Sequence, residues 1–115
     1  MKVSDTTTVL DRDQLRGITL DDEELMREIV AALVDDTARQ IELLDSAIRE
    51  EDAPRCIRLA HYSKGACANV GANAAAAALK QIERRAANRE FSECSASLGT
   101  LVQEVARLRT EMVAI

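Results

Sequence analysis

Tryptophan is missing from this 115-residue sequence, tyrosine, phenylalanine and proline occur once each, and there are only four glycines. So few β-favouring aromatics and so few chain breakers leave little from which to build sheets and tight turns. Alanine, leucine, glutamate and arginine are abundant instead, and the composition argues for an all-helical chain. Cysteine is scarce too. Cys56, Cys67 and Cys94 are odd in number and lack CxxC spacing, which argues against a disulfide framework or a zinc site. They read as small core residues in a reducing compartment, and no metal site is expected. No apolar run approaches the roughly 18 residues of a membrane span, and the opening MKVSDTTTVLDRDQ lacks the apolar centre of a signal peptide. The cytoplasm is therefore the expected location, with no membrane partner. A dominant basic surface is also lacking: the net charge of −5 argues against a nucleic-acid binder. What is present, 47% hydrophobic and 30% charged residues, is an ordinary balance for one soluble domain with a continuous core.

Residues 1–10 are polar, threonine-rich and without periodicity, and are expected to be a flexible N-terminus ahead of a helical domain over 11–115. Asp11 to Arg16 can form a short lead-in helix, with Leu10, Leu15 and Ile18 docking on one end of the domain. A long helix follows, its apolar positions Leu25, Ile29, Leu33, Ile41, Leu44 and Ile48 recurring at helical spacing. Thr19, Asp21 and Asp22 supply its cap and the negative charge that suits a helix N-terminus. Asp52-Ala53-Pro54 breaks it, and Pro54 fits the first turn of the next helix, which runs to Val70 before a natural stop at Gly71. Another helix covers about 73–87, with Ala75, Leu79, Ile82 and Ala86 on one face, and the alanine run 74–78 allows close packing. The last covers about 90–112 and carries the clearest stripe: Phe91, Cys94, Leu98, Leu101, Val105, Leu108 and Met112. Connections this short favour antiparallel neighbours, so the expected architecture is an antiparallel up-down-up-down four-helix bundle behind a short N-terminal helix.

The one histidine, His61, lies within AHYSKGACANVGA. With each residue turning about 100° on a helix, Leu59, Ala66 and Val70 fall opposite His61, with Cys56 near them, and are expected to be the core side. Pro54, Ile57, Arg58, Lys64, Gly65 and Ala68 share the side of His61, which points away from the core. A lone surface histidine usually means nothing, but these neighbours ask for a reason. A glycine inside a helix costs about 0.8–1 kcal/mol relative to alanine, yet Gly65 sits one turn beyond the imidazole. With Ala68 it leaves a bare strip of backbone that a partner protein could approach. Lys64, about 60° round the helix, can bring an ammonium to whatever the imidazole carries. A nucleophile, a cation and a gap for a visitor are thus placed together.

The segment HYSKGACANVG resembles the signature of histidine-containing phosphotransfer (HPt) domains, in which the phosphoacceptor histidine is followed by xxKG and later by a helix-ending glycine. The resemblance extends over about residues 15–112, through LDDEELMREIV, the AIREED turn and LKQIERRA. It implies that His61 takes a phosphoryl group from a receiver-domain aspartate and passes it to another, within a bacterial-type two-component phosphorelay. An imidazole of ordinary pKa, about 6.5, is mostly neutral and nucleophilic at pH 7. Lys64 would stabilise charge, while Gly65, Ala68, Ile57 and Arg58 would meet the receiver. The chain would need no cofactor, since the receiver would bring the Mg²⁺. Expected partners are response-regulator receiver domains and a hybrid histidine kinase, with the chain acting as a monomer. Members often hold the histidine's other nitrogen with a polar residue on the next helix. Counting back from Gly71 points to Gln81 or Glu83, at most one of which can reach past Ile82. Arg55, Arg58, Lys80, Arg84 and Arg85 lie towards the same region and would suit an acidic receiver pocket. The chain departs from the usual pattern at Tyr62 and Ser63, where most members have a small hydroxyl residue and a leucine.

Other classes fit less well. There is no Ser-His-Asp arrangement, GxGxxG or GxxxxGK[ST] to support an enzyme proper, and no autokinase activity is expected. A helical adaptor or oligomerisation module would use the stripe of the last helix and leave His61 idle.

Overall fold

A computed structural model describes residues 7–115 and contains, among them, five α-helices and no strand. The helices are α1 (Arg12–Thr19), α2 (Glu23–Arg49), α3 (Ala53–Val70), α4 (Asn73–Ala87) and α5 (Phe91–Val113). α2 packs against α3 and α5, α4 packs against the same two, and α1 rests on α2.

Capping chemistry sets most of the boundaries. Asp11, Asp22 and Asp52 each accept a hydrogen bond from the backbone N–H three residues on, satisfying donors that the first turns of α1, α2 and α3 leave open. Thr19, expected in the cap of α2, instead ends α1, where its hydroxyl donates to the Leu15 carbonyl at 2.8 Å. α3 stops at Gly71 in the left-handed region (φ 94°), and the next N–H returns to the Cys67 carbonyl. Glycine is required at that stop for a second reason. A β-carbon there would lie 2.9 Å from the Asp11 carbonyl oxygen, because the Asp11 N–H donates to the Gly71 carbonyl at 2.8 Å. That bond fastens the lead-in to the C-terminal end of α3.

The flexible N-terminus expected over residues 1–10 falls partly outside the described residues, which begin at 7. Residues 7–10 are held in place: Leu10 is buried, Val9 packs on the core, and the Thr8 carbonyl accepts from the Ala74 N–H at 2.9 Å. Leu15 is buried as expected, but Ile18 is exposed.

The core stripe of α5 buries Cys94, Leu98, Leu101, Val105 and Leu108, with Phe91 and Met112 at its ends half-buried, so this seam is filled from within. α4 buries Ala75, Leu79, Ile82 and Ala86. Two other stripes are rotated from their expected positions. α2 buries Met26, Val30, Leu33, Val34, Leu44, Ala47 and Ile48, leaving Leu25 exposed and Ile29 and Ile41 half-buried. α3 buries Ala53, Cys56, Ala60, Ser63 and Cys67, with Leu59, Ala66 and Val70 only at the margin. Space explains the second shift: α3 makes its most extensive contact with alanine-rich α4, and only small side chains fit between two closely approaching helices.

The cysteines are free and buried. Burial pushes the Cys67 and Cys94 thiols up to about 11 and raises Cys56 as well, which keeps all three protonated and inert. Among the described residues no group of His, Cys, Asp and Glu is placed to hold a metal ion, and no helix is long and apolar enough to cross a membrane.

Candidate functional site

The rotation of α3 decides how His61 is presented. With Cys56, Ala60, Ser63 and Cys67 inward, His61 stands on the outer surface, its side chain 72% exposed, with α4 on one side and α2 on the other. Lys64 leans towards α4 and Tyr62 towards α2.

On the α4 side one carboxylate meets both His61 and Lys64. Glu83 Oε2 lies 3.1 Å from His61 Nδ1, and its two oxygens lie 3.0 and 3.1 Å from Lys64 Nζ. An ionised carboxylate can only accept, so the ring proton is assigned to Nδ1. The lone pair is then on Nε2, which faces outward. Glu83 is only 22% exposed, and that partial burial alone would raise its carboxyl pKa. The hydrogen bonds from Lys64 and His61, with the charges behind them, outweigh burial and hold Glu83 below its ordinary value. A carboxylate fixed in the ionised form orients the imidazole and can stabilise positive charge on the ring.

Of the two residues expected to reach the histidine, Glu83 does so and Gln81 does not. Gln81 is exposed on the far side of α4, in a groove shared with Thr100, Glu104 and Arg107 of α5. The reason is rotational: residues 81 and 83 lie about 200° apart on a helix, so one faces α3 and the other α5. Lys64 is not a free charge, being half-buried in its ion pair with Glu83.

Beyond His61, a β-carbon built on Gly65 would meet nothing within 4 Å. The fold itself therefore sets no requirement for glycine there, and the space beside the imidazole is open. Ala68 is exposed one turn on, and its carbonyl accepts from Gln14 Nε2 of α1 at 2.7 Å. Ile57 is half-buried and packs on the core, so it presents less surface than expected. Arg58, Lys80 and Arg84 are exposed and make no ion pair among the described residues. Arg55 and Arg85 are neutralised, the first by Glu50 and the second by Glu90 and Glu93.

A model of the Hpt domain matches residues 28–111. The chain belongs to the Hpt domain family. Membership makes it a histidine phosphotransfer domain of two-component signalling. Its fold is similar to the crystal structure of histidine-containing phosphotransfer protein B (HptB) from Pseudomonas aeruginosa PAO1, with a TM-score of 0.84 and 24% identity over 94% of each chain. No curated protein matches the sequence.

One feature of this Hpt domain had no signal in the sequence. The Tyr62 hydroxyl donates to Asp36 Oδ2 of α2 at 3.0 Å, and Arg39 holds the same carboxylate at 3.3 Å. The hydrogen bond to Asp36, and that residue's charge, raise the Tyr62 pKa and keep the phenol protonated. Residues 36 and 62 are distant in sequence, and only the packing of α2 on α3 brings them together.

Proposed function

We propose that His61 carries the phosphoryl group, accepting it on Nε2 from a receiver-domain aspartyl phosphate and returning it to a second receiver. The single observation that carries this reading is the pairing of Nδ1 with Glu83, which leaves the outward Nε2 as the nucleophile. In the forward step the Nε2 lone pair attacks phosphorus, an N–P bond forms, and the P–O bond to the receiver aspartate breaks with its electrons leaving on the carboxylate. The Nδ1 proton stays where it is. The ring becomes cationic as the N–P bond forms, and Glu83 lies against that charge. In the reverse step the N–P electrons return to the ring, so one geometry serves both directions.

Phosphoryl transfer is mostly positioning and charge stabilisation. Lys64 supplies the second, its ammonium being within one helical turn of the imidazole; it can leave one Glu83 oxygen for a phosphoryl oxygen while Glu83 keeps His61 aligned. Gly65 and Ala68 leave room for the receiver, with Arg58 at the margin. The receiver brings Mg²⁺, and the chain itself uses no cofactor. It has no autokinase activity, a reading supported by the lack of nucleotide-binding motifs in the sequence. Receivers and a hybrid histidine kinase are its partners, in the cytoplasm, and neither nucleic acid nor membrane is. α2 to α5 form an up-down-up-down bundle, which their mutual packing and the short linkers 50–52, 71–72 and 88–90 support. The large exposed apolar side chains are spread over α1, α2, α3 and α5, which supports a monomer.

The test is to incubate the purified chain with a phosphorylated receiver or with labelled ATP. Label should pass from the receiver and not from ATP alone. Direct labelling by ATP would refute the carrier reading.

A further inference from the structure

On the side of His61 away from Glu83, α2 and α3 enclose a hollow of about 330 Å³ lined by Gln40, Leu43, Arg55, Arg58, Leu59 and Tyr62. Leu43 and the Tyr62 ring are 41% and 55% exposed, so apolar surface is left in water directly beside the nucleophile. The ring is not free to swing clear. Its hydroxyl is tied to Asp36, which Arg39 holds in turn. A pinned aromatic side chain has already lost the rotamer freedom that binding would otherwise take from it, which favours its use as a contact surface. Gln40, also in the lining, has a buried amide oxygen without a hydrogen-bond partner. Arg58 stands at the rim without an ion pair among the described residues.

We propose that this hollow, walled by the pinned Tyr62, is where the chain discriminates between receivers. It accepts those that present an aliphatic or methionine side chain with a carboxylate close by. The apolar side chain enters between Leu43, Leu59 and the Tyr62 ring, and the carboxylate meets Arg58. The inference rests on the reading of His61 as phosphoacceptor, since Tyr62 and Arg58 of the lining flank His61 on α3, and a receiver that reaches His61 must pass beside them. Tyr62 is a specificity residue and takes no part in the bond changes at phosphorus. Charge at the rim is suited to selecting partners and speeding their encounter, and the aromatic wall to holding them.

The test measures transfer from a panel of phosphorylated receivers over a range of receiver concentrations, using the wild-type chain and Tyr62→Ala, Tyr62→Phe, Asp36→Ala and Arg58→Ala. Phosphoramidate serves as a donor too small to need the hollow, and a thermal melt of each variant reports folding. Tyr62→Ala should raise the half-saturating concentration of the preferred receivers about tenfold, as loss of a central interface aromatic does. The saturating rate should barely change, and disfavoured receivers should be affected less, so the preference flattens. Tyr62→Phe and Asp36→Ala keep the ring but free it and should give a smaller loss in the same direction. Arg58→Ala should weaken the same receivers and reduce the salt dependence of transfer. Phosphoramidate labelling and melting temperature should stay close to wild type in the Tyr62 and Asp36 variants. A Tyr62→Ala variant that keeps the wild-type preference and half-saturation overturns the inference, as does one that lowers only the saturating rate. Labelling that persists in His61→Gln would overturn the phosphoacceptor reading itself, and this inference with it.

Discussion

Replacing Gly65 with leucine separates docking from chemistry. An added β-carbon at this position meets nothing within 4 Å, so the folded chain takes the larger side chain without a clash. Position 65 lies inside α3, where leucine is the better helix former by roughly 0.6–0.9 kcal/mol. For a domain of this size about 1 kcal/mol corresponds to a shift of about 4 °C, so the variant should melt about 2–4 °C higher. Transfer from a receiver should behave in the opposite way. The new side chain stands in the open strip one turn from His61, and a helical leucine has few rotamers with which to move aside. Displacing the reacting atoms by about 1 Å can cost about a hundredfold in rate. The assay follows initial rates of labelling from a phosphorylated receiver and from phosphoramidate, alongside a thermal melt. A more stable protein, about a hundredfold slower with the receiver and little changed with phosphoramidate, is the expected result. Normal transfer from the receiver, or equal loss with both donors, would refute the reasoning that the glycine is there to admit a partner.

Lys64→Ala should give the contrasting pattern, slowing both donors about tenfold by removing a charge near the transferring group, roughly the worth of one charge-assisted contact; an effect on the receiver alone would make Lys64 a docking residue. Glu83→Gln should slow both donors while leaving receiver half-saturation unchanged, and a variant that transfers at the wild-type rate would remove Glu83 from the account. Glu83 also predicts a pH dependence of stability: its folded pKa is below the ordinary 4.5, so its contribution is complete above that value and is lost as pH falls through the lower folded value. The difference in melting temperature between wild type and Glu83→Gln should therefore shrink on acidification below about pH 4, and a difference that grows would contradict the bridge. Gly71→Ala should destabilise by at least about 1–2 kcal/mol, since alanine must adopt φ 94° and crowd the Asp11 carbonyl; an unchanged melt would show that the lead-in yields freely.

The fold was legible in the sequence where local chemistry decides it. Asp52 and Pro54 mark the start of α3, Gly71 its end, and the α5 stripe has a single apolar face, so the periodicity has one solution there. α2 offered two solutions, because Leu25, Met26, Ile29, Val30, Leu33 and Val34 spread over about half the helix circumference, wider than one buried stripe; the packing of α3 and α5 selected Met26 and Val30 over Leu25. In α3 hydropathy favoured Leu59 and Val70 beside Cys56, whereas close approach to α4 kept Cys56 inside and favoured Ala60 and Cys67 over the larger side chains. That choice depends on volume rather than on polarity. At the site, His61, Lys64 and Gly65 are neighbours on one helix and could be read together. Choosing Glu83 over Gln81 needed the rotation of α4 against α3, and the Tyr62–Asp36 bond needed the packing of α2 on α3. Side chains that meet across helices are set by packing angles that no local pattern encodes.

The central claim is that one nitrogen, Nε2 of His61, carries the phosphoryl group, and its most direct test is ³¹P NMR of the chain labelled from a phosphorylated receiver, in wild type and in His61→Gln. The account predicts a single phosphohistidine resonance of the Nε2-linked kind, lost on acidification because the N–P bond is acid-labile. The variant should show no resonance at all while melting within about 2 °C of wild type, as an exposed side chain outside the core should. A phosphoryl resonance that survives in His61→Gln, or an Nδ1-linked species in wild type, would contradict it.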